Sequence, residues 1–201
     1  MTFGENMNII VAVTDRKLCK DLTEQVKAIS DAKVDAIILR EKDLSEKEYR
    51  SLVKEMAEII GDTDVILFVN TFIETAIELK VKNIQLSFEN FKSNLDKRSY
   101  FDSIWVSVHS VEEAIESEAL GADLVIYGNV FETDCKPGLA AKGLKNLEAV
   151  CSSINIPVLG IGGIDEENAK TVIKAGARGV CLMSAFMSTD RPSEIVSKIR
   201  D

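Results

Sequence analysis

The sequence predicts an α/β fold, a (β/α)8 TIM barrel folded as a single compact domain. Three observations carry this reading. Eight short runs rich in β-branched residues recur along the 201-residue chain. Amphipathic stretches separate them. Several runs are apolar at both alternating positions, as parallel strands buried on both faces must be. An open doubly wound sheet usually has about five or six strands. Eight evenly spaced ones favour closure.

Taken in order, Met1 to Asn6 precede the first apolar run and read as a flexible tail. "NIIVAVT" (8–14) is the first strand. Leu18 to Ala32 then sets Leu18, Leu22, Val26 and Ile29 on one helical face. "DAIILR" (35–40) is the second strand. The helix over Ser45–Ile60 opens with "SEKE", a serine cap with a glutamate three residues on. "VILFVN" (65–70), "NIQLS" (83–87) and "IWVSV" (104–108) follow. Ser110 and Glu113 make a second capping box, ahead of a helix over Val111–Leu120. "LVIYG" (124–128), "PVLGIGG" (157–163) and "GVCLM" (179–183) complete the set. Helical patterns over Asp165–Ala175 and Pro192–Ile199 follow the last two. Residues 1–201 therefore read as one barrel domain.

Composition excludes several function classes. The 33 acidic residues outnumber the 24 basic ones, a net charge of -9. A nucleic-acid binder shows a basic face, so none is expected as a partner. No apolar run reaches membrane-spanning length and the N-terminal stretch lacks a secretory h-region, so a cytoplasmic location is the expectation. The four cysteines, Cys19, Cys135, Cys151 and Cys181, form no CxxC pair and are expected to be reduced. Cys181, inside "GVCLM", reads as a buried thiol. One histidine, His109, excludes a histidine-rich metal site.

In a barrel the site lies where the strands end. "GIGGID" after strand 7 and "MSAF" after strand 8 read as a phosphate cradle, in which Gly162 and Gly163 expose backbone N–H groups, the helix from Asp165 adds its positive end and Ser184 adds a hydroxyl; the alternative is that the two glycines only form a strand–helix turn. Arg40 and Lys42 leave strand 2 on one side and suggest an anion clamp. The alternative is pairing with Glu41 and Asp43. His109 is a candidate acid–base group, or else orients Ser107 or caps a helix. The loop "NVFETDCKPG" is the most specific feature: Val130 and Phe131 anchor it, while Thr133 and Lys136 bind phosphate or carboxylate. Glu132 and Asp134 pair with cations or face water. Cys135 beside Lys136 is a candidate low-pKa thiol.

These residues resemble the thiamine phosphate synthase/TenI family over nearly the whole chain. The stretches that carry the likeness are "ILREKD", "VSVHSVEEA", "GADLVIYGNVFETDCKPG" and "PVLGIGGI". "VFETDCK" is similar to the TenI branch, which includes thiazole tautomerases. The synthase branch has Phe-Pro-Thr-x-Thr-Lys there. The synthase resemblance implies magnesium-dependent joining of hydroxymethylpyrimidine diphosphate to thiazole phosphate. Arg40, Lys42 and Lys136 would then hold diphosphate, Asn70 and Ser107 would face the pyrimidine, and Gly162, Gly163, Met183 and Ser184 would hold the thiazole phosphate. Thr133 matches the first loop threonine and Cys135 stands at the second.

Departures decide between the branches. Thr71 and Asn90 stand where the synthases carry aspartates, leaving Glu89 as the acid nearby, and Ile38 replaces a pyrimidine-binding glutamine. Magnesium prefers anionic oxygens. The expectation is therefore a thiazole-phosphate-binding, TenI-like isomerase with no metal and no cofactor, magnesium entering only if the synthase alternative holds. In the TenI branch a histidine follows the strand 6 glycine and is implicated in the proton shift. Here it is Asn129, so His109, Cys135 and Glu132 become the other candidates. A non-catalytic ligand sensor is the third reading. The only partner expected is the small ligand, with a homo-oligomer left open.

Overall fold

The computed structural model describes residues 8–61, 63–133 and 140–201. The expected tail lies outside them, as do Cys135 and Lys136.

Eight parallel strands close into a barrel in sequence order. They are β1 (Ile9–Val13), β2 (Ala36–Leu39), β3 (Ile66–Asn70), β4 (Asn83–Ser87), β5 (Ser103–Val108), β6 (Leu124–Gly128), β7 (Val158–Ile161) and β8 (Gly179–Leu182). Closure runs through β1 and β8, with Ile9 opposite Gly179 and Ala12 opposite Leu182. The helices are α1 (Leu22–Asp31), α2 (Glu46–Ile60), α3 (Ile73–Glu78), α4 (Phe88–Lys92), α5 (Val111–Ala119), α6 (Gly143–Ser153), α7 (Ala169–Lys174), α8 (Ser184–Met187) and α9 (Pro192–Arg200). None of the described helices is long and apolar enough to cross a membrane.

Strand alternation sorts the core into two layers. Ile9, Val11 and Val13 point into the barrel with Ala36, Ile38, Phe68, Trp105, Leu124, Ile126, Leu159 and Cys181. The Phe68 and Trp105 rings pack at 3.9 Å between centroids. The intervening residues, Ile10, Ala12, Ile37 and Leu39 among them, pack outward against the helices. Most strands are thus apolar on both faces, which is why their runs read as near-continuous hydrophobics, while β4 alternates Asn83, Gln85 and Ser87 with Ile84 and Leu86. The barrel interior is filled by side chains, so a ligand can enter only at a rim.

Helix starts depart from the sequence reading in two places. The first helix begins at Leu22, capped by Asp21, whose side chain accepts from Glu24 N. Arg16–Leu18 form a separate 3-10 turn capped by Asp15. Leu18 is 38% exposed and belongs to the rim, not to the helical core face. The seventh helix begins at Ala169 rather than Asp165. Asp165 and Asn168 bond each other's backbone N–H groups reciprocally, at 3.0 and 3.1 Å, holding that segment as a turn. The capping box of Ser45 and Glu48 is present as expected. At Ser110 only half of it forms, because Glu113 reaches past the cap to accept from His109 N at 2.6 Å.

Candidate functional site

A cavity of about 750 Å³ opens at the C-terminal ends of the strands. Its floor is the last inward apolar layer: Val13, Ile38, Ile126, Ile161 and Cys181. Burial pushes the Cys181 thiol far up, so it stays protonated and inert. Arg40, Lys42, Asn70, Ser107, His109, Asn129, Thr133, Gly162, Gly163, Met183 and Ser184 all line this one space. Glu132 is exposed and does not line it. Cys135 and Lys136 lie outside the described residues.

The β3–β5 wall is polar and internally bonded. Asn70 Nδ2 donates to Gln85 Oε1 at 2.5 Å, and Gln85 Nε2 donates to Ser107 Oγ and to Leu86 O, each at 2.8 Å. Thr71 Oγ1 donates to Asn70 Oδ1 at 3.1 Å. The Leu86 carbonyl can only accept, which fixes the Gln85 amide and then the Asn70 amide in turn. Ser107 is therefore oriented by Gln85 and not by His109. Gln85 went unrecognised in the sequence, although a glutamine within an apolar strand was the available signal. Below it, Tyr49 Oη donates to Leu39 O at 2.6 Å and accepts from Asn70 N at 2.9 Å, strapping the ends of β2 and β3 together. Burial raises the Tyr49 pKa and keeps the hydroxyl neutral.

His109 follows β5. Its ring Nδ1 lies 2.7 Å from Gly128 O, a carbonyl that can only accept, so in the neutral ring Nδ1 carries the hydrogen and Nε2 is a bare lone pair. Its backbone is held as well, by Glu113 and by Lys142 Nζ, which donates to His109 O. Asn129, 3% exposed, sits directly after Gly128. Its Nδ2 donates to Ala140 O at 3.4 Å, and its carbonyl accepts from Lys142 N.

Gly162 and Gly163 have φ of 103° and 63°. A Cβ on Gly162 would stand 2.7 Å from Asn129 Cβ, and one on Gly163 would stand 2.3 Å from Glu132 O. Both conformation and space demand glycine. Across from them α8 begins at Ser184, and the first N–H groups of a helix lack intrahelical acceptors. Gln25 seats α8 by donating to Phe186 O and Thr189 O, at 2.6 and 2.9 Å.

Among the described lining residues Asp15 is the one carboxylate. Its side chain accepts from Lys17 N as the cap of the 3-10 turn. Thr71 and Asn90, at the positions of the expected metal-binding acids, line the cavity as a hydroxyl and an amide. Glu89 is exposed and outside it. Among the described residues that donor set does not fit magnesium, which favours several carboxylate or phosphate oxygens.

Residues 10–186 match the family model described as thiamine monophosphate synthase, TMP-TENI. A thiamine-phosphate synthase of Pyrococcus abyssi is 32% identical over 201 residues, covering 100% of this chain and 96% of that protein. One from Clostridium acetobutylicum is 31% identical over 186 residues, covering 89% and 87%. The solved structure of a thiamine phosphate pyrophosphorylase from Pyrococcus furiosus superposes with a TM-score of 0.82 at 29% identity, covering 96% of this chain and 93% of the other.

Proposed function

Because the chain belongs to the thiamine monophosphate synthase (TMP-TENI) family, we propose that its cavity binds a phosphorylated thiazole and moves a proton on it. The reaction is the metal-independent aromatisation of a carboxythiazole phosphate, as in the TenI branch. The observation that carries the reading is the neutral pair Thr71 and Asn90 on the cavity wall, where diphosphate displacement would need acids for a metal. Gly162, Gly163 and Ser184 take the phosphate through N–H and O–H donors. His109 is the base. The Gly128 carbonyl holds its Nδ1–H, so Nε2 accepts the proton from the saturated ring carbon and returns it to the exocyclic carbon, and the double bond shifts into the ring, which becomes aromatic. Asn129 has no pKa near neutrality and serves as a buried amide.

The second reading is thiamine phosphate synthesis, favoured by the names of the relatives and by their coverage of the chain.

Turnover of each substrate set, with and without magnesium, tests the choice. Native protein should convert carboxythiazole phosphate without metal. His109→Gln should lower kcat by about 10²–10⁴-fold while binding persists, because general acid–base groups contribute about that much. Asn129→His should raise turnover by part of the same factor, since it supplies a second imidazole. Diphosphate release that requires magnesium would install the synthase reading instead. Binding without turnover of either set would make the protein a sensor.

A further inference from the structure

Four charges of alternating sign leave β2: Arg40, Glu41, Lys42 and Asp43. The fold separates them. Arg40 and Lys42 line the cavity, whereas Glu41 and Asp43 turn to Arg16. Arg16 Nη1 donates to Glu41 Oε2 at 2.9 Å and to Asp43 Oδ1 at 2.6 Å, and Nη2 donates to Asp43 Oδ2 at 2.9 Å. Arg16 N and Thr14 Oγ1 donate to Glu41 as well. Lys17 reaches Asp43 at 2.9 Å. Glu41 is 2% exposed, so its charge is compensated by this clamp rather than by water. Arg16 is not itself among the lining residues. Arg40 is held through its backbone N–H, which donates to Thr14 Oγ1 at 2.9 Å, and its guanidinium donates to no acceptor among the described residues.

We propose that Arg16 is a positioning residue for anion binding: by holding Glu41 and Asp43 it leaves the Arg40 guanidinium to an anionic group of the ligand. The inference rests on the reading that the cavity takes a phosphorylated ligand, and not on which reaction follows. Without the Arg16 side chain, the buried Glu41 charge has as its cationic sequence neighbours Arg40 and Lys42, both of which line the cavity. A carboxylate bound there competes with the ligand, and one unit charge a few ångströms away corresponds to about ten- to hundredfold in affinity.

Calorimetric titration with inorganic diphosphate tests this, with folding checked by circular dichroism. Arg16→Gln should bind at least about tenfold more weakly than native protein. Arg16→Lys, which keeps the charge without the fork, should stay within about threefold. The triple variant Arg16→Gln/Glu41→Gln/Asp43→Asn, which removes the competing charges along with the clamp, should recover most of the affinity. Arg16→Gln binding as native does would overturn the proposal. A folded triple variant as weak as the single one would overturn it too, since Arg16 would then act on loop shape. Asp43→Asn covers the case in which Arg16→Gln does not fold. Asp43 is exposed, and losing its charge should tighten binding about two- to threefold. Unchanged or weaker binding counts against the idea. Native protein that binds no diphosphate would sink the anion-site reading itself, and this inference with it.

Discussion

Removing one oxygen atom, in Tyr49→Phe, should cost more than its size suggests. The hydroxyl bridges Leu39 O and Asn70 N where β2 and β3 end, at 2.6 and 2.9 Å. Tyr49 is fully buried, and Phe fills nearly the same volume, so no cavity term arises. What remains is a buried carbonyl and a buried N–H that each lose the hydroxyl as a partner. Each costs about 1–3 kcal/mol, and the relief of an already desolvated hydroxyl offsets part of the sum. The expected loss is about 2–4 kcal/mol, or roughly 5–12 °C in Tm for a chain of this length. Urea unfolding should show a lower midpoint at unchanged slope. Asn70 also anchors the chain through Gln85 to Ser107, so affinity for a cavity ligand should fall with stability. A loss below about 0.5 kcal/mol would refute the reasoning. It would mean that water entering from the cavity replaces the hydroxyl at both groups.

Two further outcomes follow from the same geometry. Thr71 is a β-branched residue at φ 71°, a conformation that costs about 1–3 kcal/mol and suits asparagine better, so Thr71→Asn should raise stability by about 1 kcal/mol while altering ligand affinity. Thermal unfolding with a parallel titration reads both, and a destabilised variant would show that Thr71 is not strained. Hydrogen bonds from Arg16, then Lys17, hold the Asp43 pKa well below its usual range, so the ionised pair stabilises the fold above about pH 4 and that contribution is lost as pH falls further. Asp43→Asn should therefore flatten the acid limb of stability against pH, and an unchanged limb would exclude the pair as a contributor.

The strands were legible because a closed parallel barrel buries both faces of each one, which writes long apolar runs into the sequence. Helix starts were less so. Asp165 and Asn168 carry the right residue types for a helix entry but use them to close a turn, a choice that composition does not reveal. At the site, the alternation of Arg40 and Lys42 could be seen to aim both at one side. The other half of that arrangement could not. Arg16 lies 25 residues before Glu41, and only the pairing of β1 with β2 brings the two loops together. The same holds for Gln85, whose role depends on the neighbouring ends of β3 and β5.

The paired glycines make the sharpest case for separating a fold's needs from a ligand's. A phosphate cradle explains why residues 162 and 163 lack side chains, but packing explains it equally well. Asn129 and the Glu132 carbonyl already occupy the space a Cβ would take. Any side chain at Gly163 would displace the β6 loop before it met a ligand, so a charge placed there would report on packing. The discriminating position is Ser184, exposed at the start of α8, with its serine hydroxyl on the cavity and no such crowding required by the backbone. The glycines also explain why the β6 loop and the cradle must be considered as one unit. Val130 N and Phe131 N donate to Ile161 O and Gly162 O, at 2.9 and 3.0 Å. Whatever orders Thr133 and Asn129 over a ligand therefore acts on the cradle through a continuous backbone ladder. A change at Asn129 is felt at Gly162 by contact rather than through a relay of distant side chains.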